Sequence, residues 1–280
     1  MLKITEPEYV LMKKYIEEHC GIYLERDKEY LIESRLSDLL SETGCKSFQE
    51  LHLKARMQDP AGELRDRIVD AMTTNETSWF RDKNAWDYLT EVAVPDLLHR
   101  SAETGKARVW SAAASTGQEA YSLVMLLDEA AKKRGLPSLS ERVEILGTDI
   151  SSSALSSAIS AQYDAIAMNR GLPQEKKANY FSKVGKFWLF DQKLNKRARF
   201  EKFNLQDDFI FADPFDLILC RYVSIYFSET FKRELFSKMA GILKPGGVLL
   251  LGATESLREF SNDFEISYYK GAVINTRKES

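Results

Sequence analysis

The stretch from Arg108 to Ser122 constrains this chain most. Arg108 to Ser111 reads as a short strand, a turn of small residues follows up to Gly117, and a helix then continues through Leu123–Leu127 to Gly135. A strand that passes through small residues into a helix lets backbone N–H groups approach a ligand closely. A dinucleotide turn usually carries several glycines, and this one offers only Gly117. Taken alone, the stretch reads equally well as a tightly packed strand-to-helix turn.

Beyond Arg108, strand and helix patterns alternate, which predicts an α/β, doubly wound, mostly parallel sheet. Val143–Asp149 is the second strand and ends on a carboxylate; Ser151 caps a helix containing Leu155, Ala158 and Ile159. Asp216–Cys220 is a buried strand entering Arg221-Tyr222 and Ser224–Phe227. Ser228 opens a helix carrying Phe231, Leu235, Phe236 and Leu243, ended by Lys244-Pro245-Gly246-Gly247; Val248–Gly252 is strand-like, and Phe264–Asn275 supplies a last strand or hairpin. Residues 163–204 depart from the alternation and predict two short antiparallel strands inserted into the α/β domain, at about 180–203. Lys183, Lys186, Lys193, Lys196, Arg197 and Arg199 there read either as a solvated hairpin or as a basic accessory surface for a protein partner.

Residues 1–72 read as a small all-helical domain. Thr5 and Glu8 form a capping box with Pro7 in the first turn, and Gly21 closes that helix. A second helix is expected over Asp27–Thr43 with Gly44 as its stop; Ser47 and Glu50 make another capping box, and Asp59-Pro60 open a last segment through Leu64, Ile68 and Met72. Its cations are interleaved with as many acids, so its surface is either plainly solvated or a docking face centred on Lys28 and Arg35. Residues 73–100 form a linker and connecting helix, leaving 101–280 as the α/β domain. In the linker, Thr73 to Asp82 is polar, then aromatic, and holds Arg81 beside Trp79 and Phe80, a composition that suits a ligand-facing loop. The helix is expected over Lys83–Arg100.

The 280 residues are 44% hydrophobic and 29% charged, as in soluble globular proteins, with a net charge of −3 that supplies no basic field for nucleic acid. The first residues lack an apolar signal core and no run is long enough to span a bilayer, so a cytoplasmic location without membrane insertion is expected. Cys20, Cys45 and Cys220 are too scattered for a disulfide framework or a zinc site and read as buried free thiols; no metal is expected. His19, His52 and His99 sit in ordinary helices.

Asp149 lies where an α/β sheet places a carboxylate to accept hydrogen bonds from a ribose, though further from Gly117 than the roughly 20 residues of the dinucleotide fingerprint. With the Arg221–Phe227 segment at the same sheet edge, these features predict an adenosine-type cofactor site. They do not choose between NAD and S-adenosylmethionine.

The Lys-Pro-Gly-Gly turn before a late apolar strand resembles class I S-adenosylmethionine-dependent methyltransferases. TTNETSWFR, VWSAAASTGQEAYSL, GTDIS, Phe203-Asn204-Leu205, CRYVSIYF and LKPGGVLLLGATESL together, in order and over most of the chain, resemble the CheR-type chemotaxis receptor methyltransferases. The resemblance implies a seven-stranded sheet and a glutamate O-methyltransferase acting on the cytoplasmic helical bundle of chemoreceptors, as a monomer. S-adenosylmethionine is the implied cofactor, S-adenosylhomocysteine the product. The implied cofactor residues are Asn75, Thr77, Arg81, Ala113, Glu119, Asp149, Asn204, Leu205, Arg221 and Tyr222. Arg81 and Tyr226 match the positions nearest the transferring methyl, and Lys28 and Arg35 are the expected substrate-docking pair. The chain departs from the family at Gln118-Glu119-Ala120, where Glu-Glu-Pro is common, and at Tyr222, where Asn is usual. The short hairpin at Lys183–Lys186 implies that a receptor tether pentapeptide is not required. The competing readings are a cofactor-binding adaptor that has lost catalysis, opposed by the retained Arg81 and Tyr226, and a nucleic-acid methyltransferase. The latter is opposed by the net charge and by the lack of an Asn/Asp-Pro-Pro-Tyr-like motif at the CRYV position.

Overall fold

The computed structural model describes residues 2–279. Its first four helices are α1 (Glu6–Cys20), α2 (Glu29–Thr43), α3 (Phe48–Met57) and α4 (Glu63–Met72). Local chemistry sets most of their ends as expected. Helix α4, however, starts at Glu63 rather than at Asp59-Pro60, because Gly62 precedes it with a φ of 74° and Asp59 instead accepts the Arg65 amide at 2.8 Å. Thr5 and Glu8 form the capping box of α1, the Ser47 hydroxyl accepts the Glu50 amide at 3.1 Å, and Gly21 and Gly44 terminate α1 and α2 with φ of 72° and 69°. Helix α2 starts at Glu29 rather than Asp27 because Asp27 takes a φ of 62°. Met12, Ile16, Ile32, Leu36, Phe48, Leu51 and Ile68 fill the space between these helices, each worth about 1.5–3 kcal/mol of burial.

The connecting helix runs past the expected Arg100. It comprises α5 (Lys83–Tyr88), a π turn (Leu89–Ala93) and α6 (Val94–Thr104), ending at Gly105. The elements that follow are β1 (Ala107–Ala112), α7 (Gln118–Lys133), β2 (Val143–Asp149), α8 (Ser152–Ser160) and β3 (Gln162–Tyr163). Then come α9 (Ala165–Met168), α10 (Gln174–Tyr180), β4 (Phe181–Val184), β5 (Phe187–Phe190), α11 (Gln192–Asn195) and β6 (Ala198–Lys202). The chain closes with β7 (Phe215–Cys220), α12 (Glu229–Ile242), β8 (Leu243–Leu250), β9 (Phe264–Tyr269) and β10 (Ala272–Arg277).

Seven strands form one sheet in the order β6-β2-β1-β7-β8-β10-β9, parallel except for β10, which runs antiparallel to β8 and β9. This is the doubly wound, mostly parallel seven-stranded architecture that the sequence predicts. Successive side chains of the central strands serve opposite layers. Val109, Ile145, Leu217 and Leu219 pack with α6 and α7, whereas Trp110, Ala112, Leu146 and Ile218 pack with α12.

Two local expectations change. The hairpin β4–β5 exists, but β3 joins it to make three strands, and Ala198–Lys202 does not belong to it. Those residues are β6, paired parallel to β2 from Ile145↔Ala198 to Asp149↔Lys202. An edge strand with Arg199 and Glu201 exposed has the polar alternation of a surface hairpin, which is why it reads as one. The Lys244–Gly247 turn likewise lies within β8, which starts at Leu243 and carries an irregularity opposite Phe215–Leu217.

Candidate functional site

The carboxyl ends of β1, β2 and β7 open into a cleft that continues into solvent. All ten expected cofactor residues, from Asn75 to Tyr222, line it together with Tyr226. Lys28 and Arg35 do not. They border an adjoining groove that shares Ile22, Thr74, Tyr226 and Phe227 with the cleft. The Arg35 guanidinium is turned towards the linker, donating to the carbonyls of Met72 and Thr73 and, at 2.8 Å, to the Thr74 hydroxyl.

The small-residue turn explains its own composition. Ala113, Ser115 and Gly117 have φ of 61°, 52° and 90°, so three alternate residues take a conformation that usually calls for glycine. Only Gly117 combines it with crowding: a Cβ there would meet Ala158 Cβ at 3.0 Å and Tyr121 at 3.1 Å. The turn wraps Asp149. Ser115 N donates to Asp149 Oδ2 at 2.8 Å and Ser151 N to Oδ1 at 2.9 Å. Burial raises the Asp149 pKa, a rise opposed by the Ser151 and Ser115 amides.

Arg221 forms the charged centre of the cleft. Its side chain is 3% exposed, and its two terminal nitrogens reach Glu119 Oε2 at 3.0 Å, Asp82 Oδ2 at 2.8 Å and the Arg81 carbonyl at 2.5 Å. Its Nε, fully buried, has no hydrogen-bond partner among the described residues. Glu119 also accepts the Ser111 hydroxyl at 2.8 Å. Arg81 lies over the Tyr222 ring, 3.5 Å from its centroid, and donates to the Glu76 carbonyl at 3.3 Å. The Tyr222 hydroxyl donates to Asp82 Oδ2 at 2.5 Å; burial, followed by the bond to Asp82, raises its pKa.

The helical domain seals one wall. Cys20 and Ile22 line the cleft, Asn204 Nδ2 donates to the His19 carbonyl at 2.9 Å, and Gln206 Nε2 donates to the Glu17 carbonyl at 3.0 Å. The first bond satisfies a carbonyl that the end of α1 leaves without a helical partner, and the second adds to the Glu17 carbonyl, which also accepts the Gly21 amide at 3.0 Å. Tyr23 N donates to the Tyr226 carbonyl at 2.8 Å beside an antiparallel bridge between Ile22 and Phe227. Burial pushes the Cys20 thiol up to about 12, so it is no nucleophile near neutrality. Cys20 and Cys220 are the buried thiols expected, Cys45 is half-buried, and all three are free. Burial lowers the pKa of His19 and of His52, and neither residue lines the cleft.

Sequence reasoning missed Asp82 and Glu255. Glu255 is 8% exposed and accepts the amides of Tyr222 (2.5 Å), Ser224 (2.9 Å) and Gly252 (2.8 Å) and the Ser224 hydroxyl (2.6 Å). Asp82 adjoins Arg81, and Glu255 sits in the loop after β8; only tertiary placement gives either a role. The cleft thus offers a buried carboxylate for hydroxyl donors, a partly apolar slot at Ile150, Phe203 and Leu205, and charged groups of both signs at Glu119 and Arg221. That set suits an adenosine carrying a zwitterionic amino-acid tail. Among the described residues no group of three or more His, Cys, Asp or Glu could hold a metal, and no helix is long and apolar enough to cross a membrane.

Residues 75–272 match the family described as CheR methyltransferase, SAM binding domain, and residues 7–73 match the CheR methyltransferase all-alpha domain. A chemotaxis protein methyltransferase of Pseudomonas aeruginosa is 39% identical over 278 residues, covering 99% of this chain and 100% of that protein. One from Pseudomonas putida is 37% identical over 97% of this chain and 98% of its own length. Another, from Vibrio parahaemolyticus, is 38% identical over 98% of both chains.

Proposed function

The chain belongs to the CheR methyltransferase family, and we propose that it transfers a methyl group from S-adenosylmethionine to glutamate side chains of chemoreceptor cytoplasmic domains, giving glutamyl methyl esters. The observation that carries this reading is the meeting of Arg81 and Tyr226 in the same cleft as Asp149 and Glu119.

S-adenosylmethionine supplies the methyl group as an electrophile bound to a positively charged sulfur. In this reading Asp149 accepts hydrogen bonds from the ribose, Leu205 and Asn204 border the adenine, and Glu119 and Arg221 take the amino-acid tail. The acceptor needs little from the chain. A glutamate carboxylate is already ionised at neutral pH, so no general base is required. Arg81 orients that carboxylate through its planar fork, Tyr226 borders it, and the walls exclude water. Lys28 and Arg35 belong to the docking side of this reading, since both edge the groove beside Tyr226. The tether pentapeptide is not needed; the β4–β5 hairpin turns in two residues, Gly185 and Lys186.

The decisive experiment incubates the protein with radiolabelled S-adenosylmethionine and receptor cytoplasmic fragments, followed by mild base. Release of volatile label as methanol is expected, and base-stable label sinks the ester reading. Calorimetry with a free tether pentapeptide tests the second point, on which micromolar binding would be contrary.

A further inference from the structure

Tyr222 holds a backbone conformation that disfavours a tyrosine. Its φ of 59° lies in the left-handed region, where Asn and Gly are tolerated and a ring-bearing side chain is strained. The Glu255 carboxylate helps fix it by accepting the Tyr222 amide at 2.5 Å. The ring so presented is held chiefly by Arg81, Asp82 and Gly252, and its hydroxyl also accepts the Ala253 amide at 3.4 Å. The Arg81 guanidinium carbon lies 3.5 Å from its centroid, its hydroxyl donates to Asp82 at 2.5 Å, and a Cβ on Gly252 would come within 3.0 Å of both ring Cδ atoms. Asp82 is itself held by Arg221 at 2.8 Å, so the tyrosine hydroxyl is tied to the buried charge centre of the cleft.

We propose that Tyr222 is a positioning residue that acts through Arg81: its ring, fixed by Asp82 and backed by Gly252, sets the plane of the guanidinium that aligns the acceptor carboxylate. The inference rests on the role given to Arg81 above and deepens it. A guanidinium lying on an aromatic face keeps its N–H edges free for a planar carboxylate. An arginine without that face would have to be ordered during each turnover, a cost that falls on the rate rather than on cofactor binding.

The test compares wild type, Tyr222→Asn, Tyr222→Phe, Arg81→Ala and the Tyr222→Asn/Arg81→Ala double variant. Asn accepts a positive φ, so Tyr222→Asn removes the ring while suiting the loop. Loss of the stack is expected to lower kcat about 5–30-fold, with KM for S-adenosylmethionine changing far less. Tyr222→Phe keeps the ring and loses the tie to Asp82, so its loss is smaller. In the Arg81→Ala background Tyr222→Asn has no further effect. A second measurement needs no substrate: the rate at which phenylglyoxal modifies Arg81, followed by peptide mass spectrometry, rises in Tyr222→Asn. An unchanged kcat, equal fold losses in both backgrounds, or an unchanged modification rate overturns the proposal. If wild type places no base-labile label on receptor fragments, the glutamate reading fails, while the phenylglyoxal rates still decide whether Tyr222 holds Arg81.

Discussion

A guanidinium as buried as that of Arg221 needs partners for its charge, and it finds them in Glu119, Asp82 and the Arg81 carbonyl. Arg221→Ala leaves two carboxylates facing a gap, and removing one partner of a buried pair costs about 3–5 kcal/mol. Urea unfolding is expected to show a lower midpoint with an unchanged slope; a loss near that of an ordinary surface substitution would mean that water re-solvates both acids. Asp149 gives a pH dependence with a definite sign. Burial sets its pKa above the ordinary 3.8, so in the free protein the group favours the folded state most at low pH, and that contribution is lost as pH rises through the raised value. Hydroxyl donors of a cofactor prefer the ionised form. Affinity for S-adenosylhomocysteine, measured by calorimetry, is therefore expected to fall as pH drops through a midpoint above 3.8. Asp149→Asn is expected to bind weakly at every pH, without that midpoint. Asp149 and Arg81 are legible in the sequence because a strand end and a polar-aromatic loop are local signals. Asp82 and Glu255 are not, since each works only through chain segments that folding brings to it.

At the scale of elements, two glycines of nearly equal φ separate conformational cost from crowding. Gly44 closes α2 with nothing within 4 Å of where a Cβ would sit, whereas a Cβ on Gly21 would lie 2.7 Å from the Phe231 ring. Gly44→Ala is expected to cost about 1 kcal/mol, the left-handed penalty alone. Gly21→Ala adds displacement of Phe231, typically a further ~1–3 kcal/mol, and disturbs the Ile22–Phe227 bridge beside the cleft. Thermal unfolding with cofactor titration checks both: only Gly21→Ala is expected to weaken S-adenosylhomocysteine binding, and equal behaviour would remove the bridge from the site. The caps and strand–helix alternation of these elements are visible in the sequence because they depend on neighbours along the chain. The 113–117 turn is only half visible, because Ala113 and Ser115 take positive φ without the glycines that announce it. Strand β6 is hidden for the converse reason, its edge position leaving it the polar pattern of a hairpin.

Across the whole molecule, the cleft belongs to both domains. The last turn of α1 supplies Cys20 and presents the carbonyls that hold Asn204 and Gln206, while Tyr23 pairs with the segment that carries Tyr226. Nothing in either domain's own sequence pattern announces this joint, because it consists of backbone groups and of side chains that bond to them. Its consequence is energetic. A ligand that binds only the folded protein adds stability as RT ln(1 + [L]/Kd), about 2.7 kcal/mol at a hundredfold excess over Kd. Where that stability appears depends on which elements the cleft ties together. Hydrogen exchange with and without S-adenosylhomocysteine is therefore expected to slow at residues 20–24 and in the last turn of α1, as well as around 113–117, 149–151 and 221–226. Helix α3, which contributes no residue to the cleft, is the internal reference and is expected to change least. Protection confined to the α/β domain would mean that the helical domain only rests against the site, and Gly21→Ala would then leave cofactor affinity unchanged.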